Sequence, residues 1–165
     1  MIALFQTLLD FFQSYGMEML RRSAEHLGLV GIAMIVAAAI AIPLGVLIAK
    51  VRPLATVVLG LASVIQPIPS LAFVALTAVV FLALALPTIG LLPGTVALVA
   101  YALLPMLRNT LTGIRQVDQT VIEVARGMGM TNRQILGQIE LPLALPVIMA
   151  GVRISTVWPI GIATR

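Results

Sequence analysis

An all-α bundle of membrane-crossing helices is the fold class this sequence predicts, and three observations carry the prediction. Of 165 residues, 61% are hydrophobic and 10% are charged, a composition foreign to water-soluble globular domains. No Asp, Glu, Lys or Arg occurs between Pro53 and Leu107. The charges are bunched instead: of the ten basic and six acidic residues, seven lie between Arg108 and Glu140. The net charge of +4 does not point to nucleic acid, because the basic residues sit at the ends of apolar runs rather than in one patch.

In chain order, Met1–Leu20 is apolar at positions 4, 5, 8, 9, 12 and 19 but interrupted by Gln6, Asp10, Gln13 and Glu18. That pattern predicts a helix lying in the membrane interface over residues 1–24, and it lacks the basic start and cleavage site of a signal peptide. Leu27–Ala49 is uncharged and long enough to cross about 30 Å of hydrocarbon, with Pro43 and Gly45 expected to bend it. His26 at its start reads as an interfacial residue, since a lone histidine has no companions for a metal site.

Residues 54–86 form a third apolar stretch, broken by Gln66-Pro67-Ile68-Pro69-Ser70. Two prolines two apart remove backbone donors and disfavour helix before each, so a real discontinuity is expected. If Lys50/Arg52 and the later charged stretch share the cytoplasmic side, one crossing out and one back must separate them. Residues 54–86 then hold the outward crossing and residues 90–107 the return, with the uncharged Pro87–Pro93 turn outside. This places the N-terminus outside, where Arg21 and Arg22 fit the positive-inside rule poorly. The last apolar stretch, 143–164, carries Arg153, Ser155 and Thr156. Arg153 reads either as a bundle-facing contact or as a snorkelling arginine near the boundary. Trp158 reads as an interfacial anchor or as ordinary helix packing.

Between these apolar stretches lies the polar segment 108–142. Asp118 suits a helix N-cap ahead of Val121, Ile122 and Ala125, an apolar trio expected to seat in a partner's groove. Gly127 and Gly129 interrupt that helix. Thr131 and Gln134 form a capping box that starts a second helix with Ile135, Leu136 and Ile139 on one face, and Pro142 and Pro146 are expected to end it. The prediction is a short helix–turn–helix between two spans. Membrane flanks argue against a DNA-reading role for it.

The same residues carry a resemblance. Glu123-Val124-Ala125, three residues, Gly129, nine residues, Ile139, one residue, Leu141-Pro142 resembles the EAA loop of ABC-importer permeases, with Val124 the one departure. The surrounding ALLPMLRNTLTGIRQVD, EVARGMGMTNRQIL and ELPLALPVIMAGVR resemble the permeases for glycine betaine, carnitine and choline, and the likeness runs from about Glu25 to Thr164. It implies a methionine-importer-like helical bundle, C-terminally incomplete because family members continue into a glycine-rich segment and another span. It also implies that Glu123, Ala125, Arg126, Gly129, Ile139, Leu141 and Pro142 couple the chain to a cytoplasmic ABC ATPase. A second permease copy and an extracytoplasmic solute-binding protein would complete the assembly, with ATP held by the ATPase. QPIPSLA resembles the QTIPSLA-type motif of these permeases. Gln66, Pro67, Pro69 and Ser70, with Arg153 and Ser155, are therefore candidates for the solute pathway, while a plain helix kink remains a compatible reading of the break.

What is missing excludes other classes. The only lysine, Lys50, lies between Ala49 and Val51, so no Walker A loop is present, and any ATP dependence must come from a partner. The absence of cysteine removes thiolate chemistry, and no paired carboxylates, zinc-ligand cluster or nucleophile elbow points to an enzyme. A proton- or sodium-coupled transporter would place ionisable side chains in its spans, and no acidic residue lies in any span proposed here. A non-transporting membrane fragment or regulatory subunit is the other alternative.

Overall fold

The computed structural model describes the backbone of residues 2–88 and 90–162, and the side chains at 6, 11–88 and 90–157. The expectations for the Trp158 side chain and for residues 163–165 lie outside the described residues. The architecture is all-α: α1 (Ile2–Ala49), α2 (Arg52–Ile65), α3 (Ser70–Ala83), α4 (Leu91–Arg115), α5 (Gln119–Gly127), α6 (Asn132–Ile135), a π-helical turn (Leu136–Glu140) and α7 (Leu141–Ile162). Three helical stretches are long and apolar enough to cross a membrane: Phe11–Ala49, Leu91–Arg115 and Asn132–Val157.

The core is a triple of α1, α4 and α7. α1 and α4 run parallel, because Gly45 meets Thr110 and the Arg115 Nε donates to the Ala49 carbonyl at 3.3 Å. α7 runs antiparallel to α4: Gly113 lies against Ala144, Gly151 against Asn109, and the Ser155 hydroxyl donates to the Ala102 carbonyl at 3.1 Å. The sequence cause is a stripe of small residues on α1, Ala33, Ala37, Ala41 and Gly45, one every four positions. The three alanines are fully buried, and Leu98, Ala102, Met106, Leu107 and Leu111 of α4 belong to the same core. Small residues at this spacing let helix backbones approach, which is how helices associate where lipid removes the hydrophobic drive between them. A Cβ at Gly45 would lie 2.7 Å from Thr110 Cβ, and one at Gly151 would lie 2.6 Å from Asn109 Cβ. Neither approach tolerates a larger side chain without a shift of the helices.

Several expected boundaries move. Residues 1–24 and 27–49 are not separate elements, since α1 is continuous over 48 residues, about 72 Å at the helical rise. No strong breaker stands between the two parts. Charges at the junction of the two parts pair along the helix, Arg22 with Glu18 at 2.7 Å and Arg21 with Glu25 at 3.0 Å, both at the stabilising i,i+4 spacing. Pro43 sits within the same helix without ending it. α4 likewise runs two turns past residue 107 to Arg115.

The break at Gln66–Ser70 is real. α2 and α3 meet there at 102°, and together they form one bent membrane-compatible pair. The break is held from a distance: the Tyr101 hydroxyl of α4 donates to the Ile68 carbonyl, and Phe73 stacks edge-on against the Tyr101 ring at 5.4 Å.

Pro142 and Pro146 do not end a helix; they lie in the first two turns of α7, and α6, the π turn and α7 form one continuous rod. The π turn explains how Pro142 is admitted. The Leu141 N–H reaches back five residues to the Leu136 carbonyl, widening the helix just where a proline ring would otherwise strike the preceding turn.

Candidate functional site: the α5–α6 unit

The polar helix–turn–helix is closed by its own hydrogen bonds. Asp118 caps α5, its carboxylate accepting from the Thr120 backbone N–H at 2.8 Å. Hydrogen bonds from Thr120 hold the Asp118 carboxyl below its ordinary value of 3.8. At the other end of α5 the chain forms a Schellman closure, in which Met130 N–H donates to the Ala125 carbonyl and Gly129 N–H to the Arg126 carbonyl. Gly129 carries φ +82°, a left-handed conformation that penalises any Cβ. Gly127 is the last residue of α5 and helical, so of the two glycines it is Gly129 that makes the turn. Thr131 then opens α6 with the expected reciprocal capping box to Gln134.

Val117, Ile122, Ala125 and Ile135 form a small core of their own, with Met130 and Ile139 packed against it. This reverses part of the expectation. Ile122 and Ala125 are buried inside the unit, and the apolar residues offered outward are Val121, Val124 and Met128. Their spacing of three and four places them on one face of α5 and its cap. Ala125, at 1% exposure, is small because α5 and α6 close over it. Glu123 and Arg126 are exposed on the outer surface. Ile139 and Leu141 are half-buried, joining the unit to the bundle, while Pro142 is exposed.

An ion pair that ties the π turn after this unit to the bundle had no place among the expected site residues. Glu140, the variable position of the I-x-LP segment, is buried at 3%, and Lys50 Nζ sits 2.5 and 2.6 Å from its two carboxylate oxygens. Lys50 directly follows α1, so the pair pins the π turn to the end of the first long helix and puts both charged stretches at one end of the bundle. The available signal was arithmetic: the chain's sole lysine closes a span, and an acid with no i,i+4 partner sits between Ile139 and Leu141.

The candidate pathway residues are not brought together. Gln66, Pro67 and Pro69 are exposed and Ser70 half-buried at the α2–α3 break. Ser155, at 1% exposure, is a bond between α7 and α4 rather than a lining residue. Arg153 is exposed on the outer surface of α7 and faces away from this chain's own core. Among the described residues no group of His, Cys, Asp and Glu is arranged to hold a metal.

Residues 41–164 match the model of the family described as binding-protein-dependent transport system inner membrane component. The chain is 43% identical over 157 residues to the carnitine transport permease protein OpuCB of Listeria monocytogenes, covering 95% of this chain and 69% of that one. It is 41% identical to the choline transport system permease protein OpuBB of Bacillus subtilis, over 95% and 70% of the two chains. It is 44% identical to the osmoprotectant import permease protein OsmW of Salmonella typhimurium, over 84% and 64%. A helical bundle with several membrane-compatible helices, a self-closed polar unit at one end and matches of this extent leave one assignment: the chain belongs to the inner-membrane permeases of binding-protein-dependent transport systems.

Proposed function

We propose that this chain is the permease subunit of an ATP-driven importer of compatible solutes such as glycine betaine, carnitine or choline. It forms part of the membrane pathway and works with a separate cytoplasmic ATPase, a second permease copy and an extracytoplasmic binding protein. The observation that carries the reading is the α5–α6 unit, closed by its own bonds, pinned to α1 through Lys50 and Glu140, and turning Val121, Val124 and Met128 outward. Such a unit transmits force because it moves as a body. ATP binding draws the two ATPases together, each carries its α5–α6 unit, and the rods running from α6 into α7 rock the bundle between inward- and outward-facing states. The relatives named for carnitine, choline and osmoprotectant transport support the solute class. With aromatic residues at 5%, this chain has little material for the cages that bind quaternary ammonium groups, so the binding protein carries most of the recognition.

The test is uptake into proteoliposomes holding the permease and its ATPase, with the binding protein outside and ATP inside. Labelled glycine betaine, carnitine or choline should accumulate only with ATP and binding protein present. Failure of the ATPase to co-purify with the permease, or accumulation driven by an ion gradient without ATP, would overturn the proposal.

A further inference from the structure

Two polar stripes meet along the seam between α2 and α4. On α2, Arg52, Thr56, Ser63 and Gln66 follow at spacings of four, seven and three, which puts them along one side of the helix. Leu54, Val57, Leu61 and Val64, all exposed, run along the opposite side. On α4, Arg108, Thr112 and Arg115 follow at four and three, and all three are exposed. Arg52 and Arg115 line one groove at the charged end. Further in, a terminal nitrogen of Arg108 donates to the Ser63 hydroxyl at 3.2 Å. The seam thus runs from the charged end to Gln66, where α2 breaks. A membrane helix with its apolar side to lipid turns its polar side to protein or water, so these stripes mark a polar track.

Arg108 says what the track receives. It lies seven residues from Arg115, about 10 Å into the bundle at the helical rise. Ser63 lies eleven residues from Arg52, about 16 Å in. Arg108 therefore reaches inward, away from the charged end, the opposite of a snorkelling arginine. The Ser63 hydroxyl spends its proton on the Leu59 carbonyl at 2.6 Å, so it offers Arg108 only a lone pair. No carboxylate pairs with Arg108 among the described residues, and Glu140, the acid beside Arg52 and Arg115, is taken by Lys50. A guanidinium held at this depth by one neutral hydroxyl keeps its charge and its other donors for a carboxylate. A cation without a carboxylate meets three guanidinium groups and no free acid. We infer that the α2–α4 seam is a water-filled stretch of the solute path, and that Arg108 binds the carboxylate of a zwitterionic solute on it. The inference rests on the importer reading above.

The experiment labels single cysteines with sulfonatoethyl methanethiosulfonate, which does not cross membranes. It uses inverted membrane vesicles carrying the permease assembled with its ATPase, without ATP. Thr56→Cys and Thr112→Cys should label about tenfold faster than Val57→Cys and Leu61→Cys, which lie on the lipid side of α2. Millimolar glycine betaine should slow the labelling of Thr112→Cys, one turn from Arg108, and choline at the same concentration should not. Adding Arg108→Gln should raise the glycine betaine needed for half-protection about tenfold. Arg108→Lys, which keeps the charge, should retain part of the protection, and Arg21→Gln, on the distant half of α1, all of it. If Arg108→Gln fails to assemble, the comparison of glycine betaine with choline decides. Equal labelling on both sides of α2, or slow labelling of Thr112→Cys, would overturn the water-filled seam. Fast labelling without protection, equal protection by choline, or protection indifferent to Arg108→Gln would overturn the carboxylate site. Any of these results with the ATPase still bound defeats this inference alone, whereas an assembly that never holds the ATPase defeats the importer reading.

Discussion

The chain interrupts its helices in two different ways, and the contrast lies in where each break finds its hydrogen bonds. At Gln66–Ser70 two prolines take donors away, and the Ile68 carbonyl is satisfied only by Tyr101, a residue 33 positions further along. At Met128–Thr131 a glycine and a threonine satisfy the backbone locally, through the Schellman closure and the capping box. The first break depends on another helix and responds when that helix shifts. The second carries its own geometry wherever it goes. One break is thus held by a distant helix and the other by its own residues, two opposite uses of backbone chemistry.

The largest effect should come from the ion pair that joins the π turn after the second region to α1. Lys50→Met leaves the Glu140 carboxylate buried without a partner, a loss of about 3 kcal/mol by the usual cost of breaking a buried pair. Glu140→Gln should cost less, because the Lys50 side chain is 52% exposed and water replaces its lost partner. Thermal denaturation of the detergent-purified protein should rank Lys50→Met well below Glu140→Gln. The reverse order would mean that the pair does not anchor the π turn.

Next comes the turn itself. Gly129→Val puts a β-branched side chain at φ +82° and should cost roughly 1–3 kcal/mol. Membrane insertion should survive, since it depends on the apolar spans, whereas co-purification of the ATPase should fall. Undiminished ATPase binding would detach coupling from this turn.

Tyr101→Phe addresses the other interruption. It removes the one side-chain donor to the Ile68 carbonyl and should destabilise by about 1 kcal/mol. Exchange of the backbone amides around the α2–α3 break should speed up, with no change in the α5–α6 unit. Equal loosening of both regions would contradict their independence.

The smallest effect is expected at Asp118. Its folded-state value is depressed, so the cap is fully present above pH 3.8 and is lost as the pH falls through the lower folded value. The Thr120 amide should keep its protection through mild acid and lose it only below that point. Asp118→Ala should remove the protection at every pH.

Much of this was legible in the sequence, for identifiable reasons. Asp118, Gly129 and the Thr131–Gln134 box were readable because caps and left-handed turns are local chemistry. The proline break was readable for the same reason. Tertiary relations were not. That Ile122 and Ala125 face inward while Val124 and Met128 face outward depends on where α6 packs, which residue type does not reveal. The Lys50–Glu140 pin joins residues 90 apart. The continuity of α1 was hidden because the polar interruptions at Gln6, Asp10, Gln13 and Glu18 give its first part an amphipathic pattern unlike the uncharged run at 27–49, and a change of pattern does not end a helix. Ala85, at φ 56°, ends α3 in a left-handed turn where glycine would be favoured, and nothing in its neighbours announces it.

The central claim is that the α5–α6 unit docks as a closed body through Val121, Val124 and Met128, with Ile122 inside. The chain contains no cysteine, so single cysteines report cleanly. Maleimide labelling of Val124→Cys and Ile122→Cys variants, with and without the ATPase, tests the claim most directly. The Val124→Cys variant should label quickly alone and be protected by the ATPase, while the Ile122→Cys variant should label slowly in both conditions. Fast labelling of the Ile122→Cys variant, with ATPase protection at that position and none at 124, would contradict it.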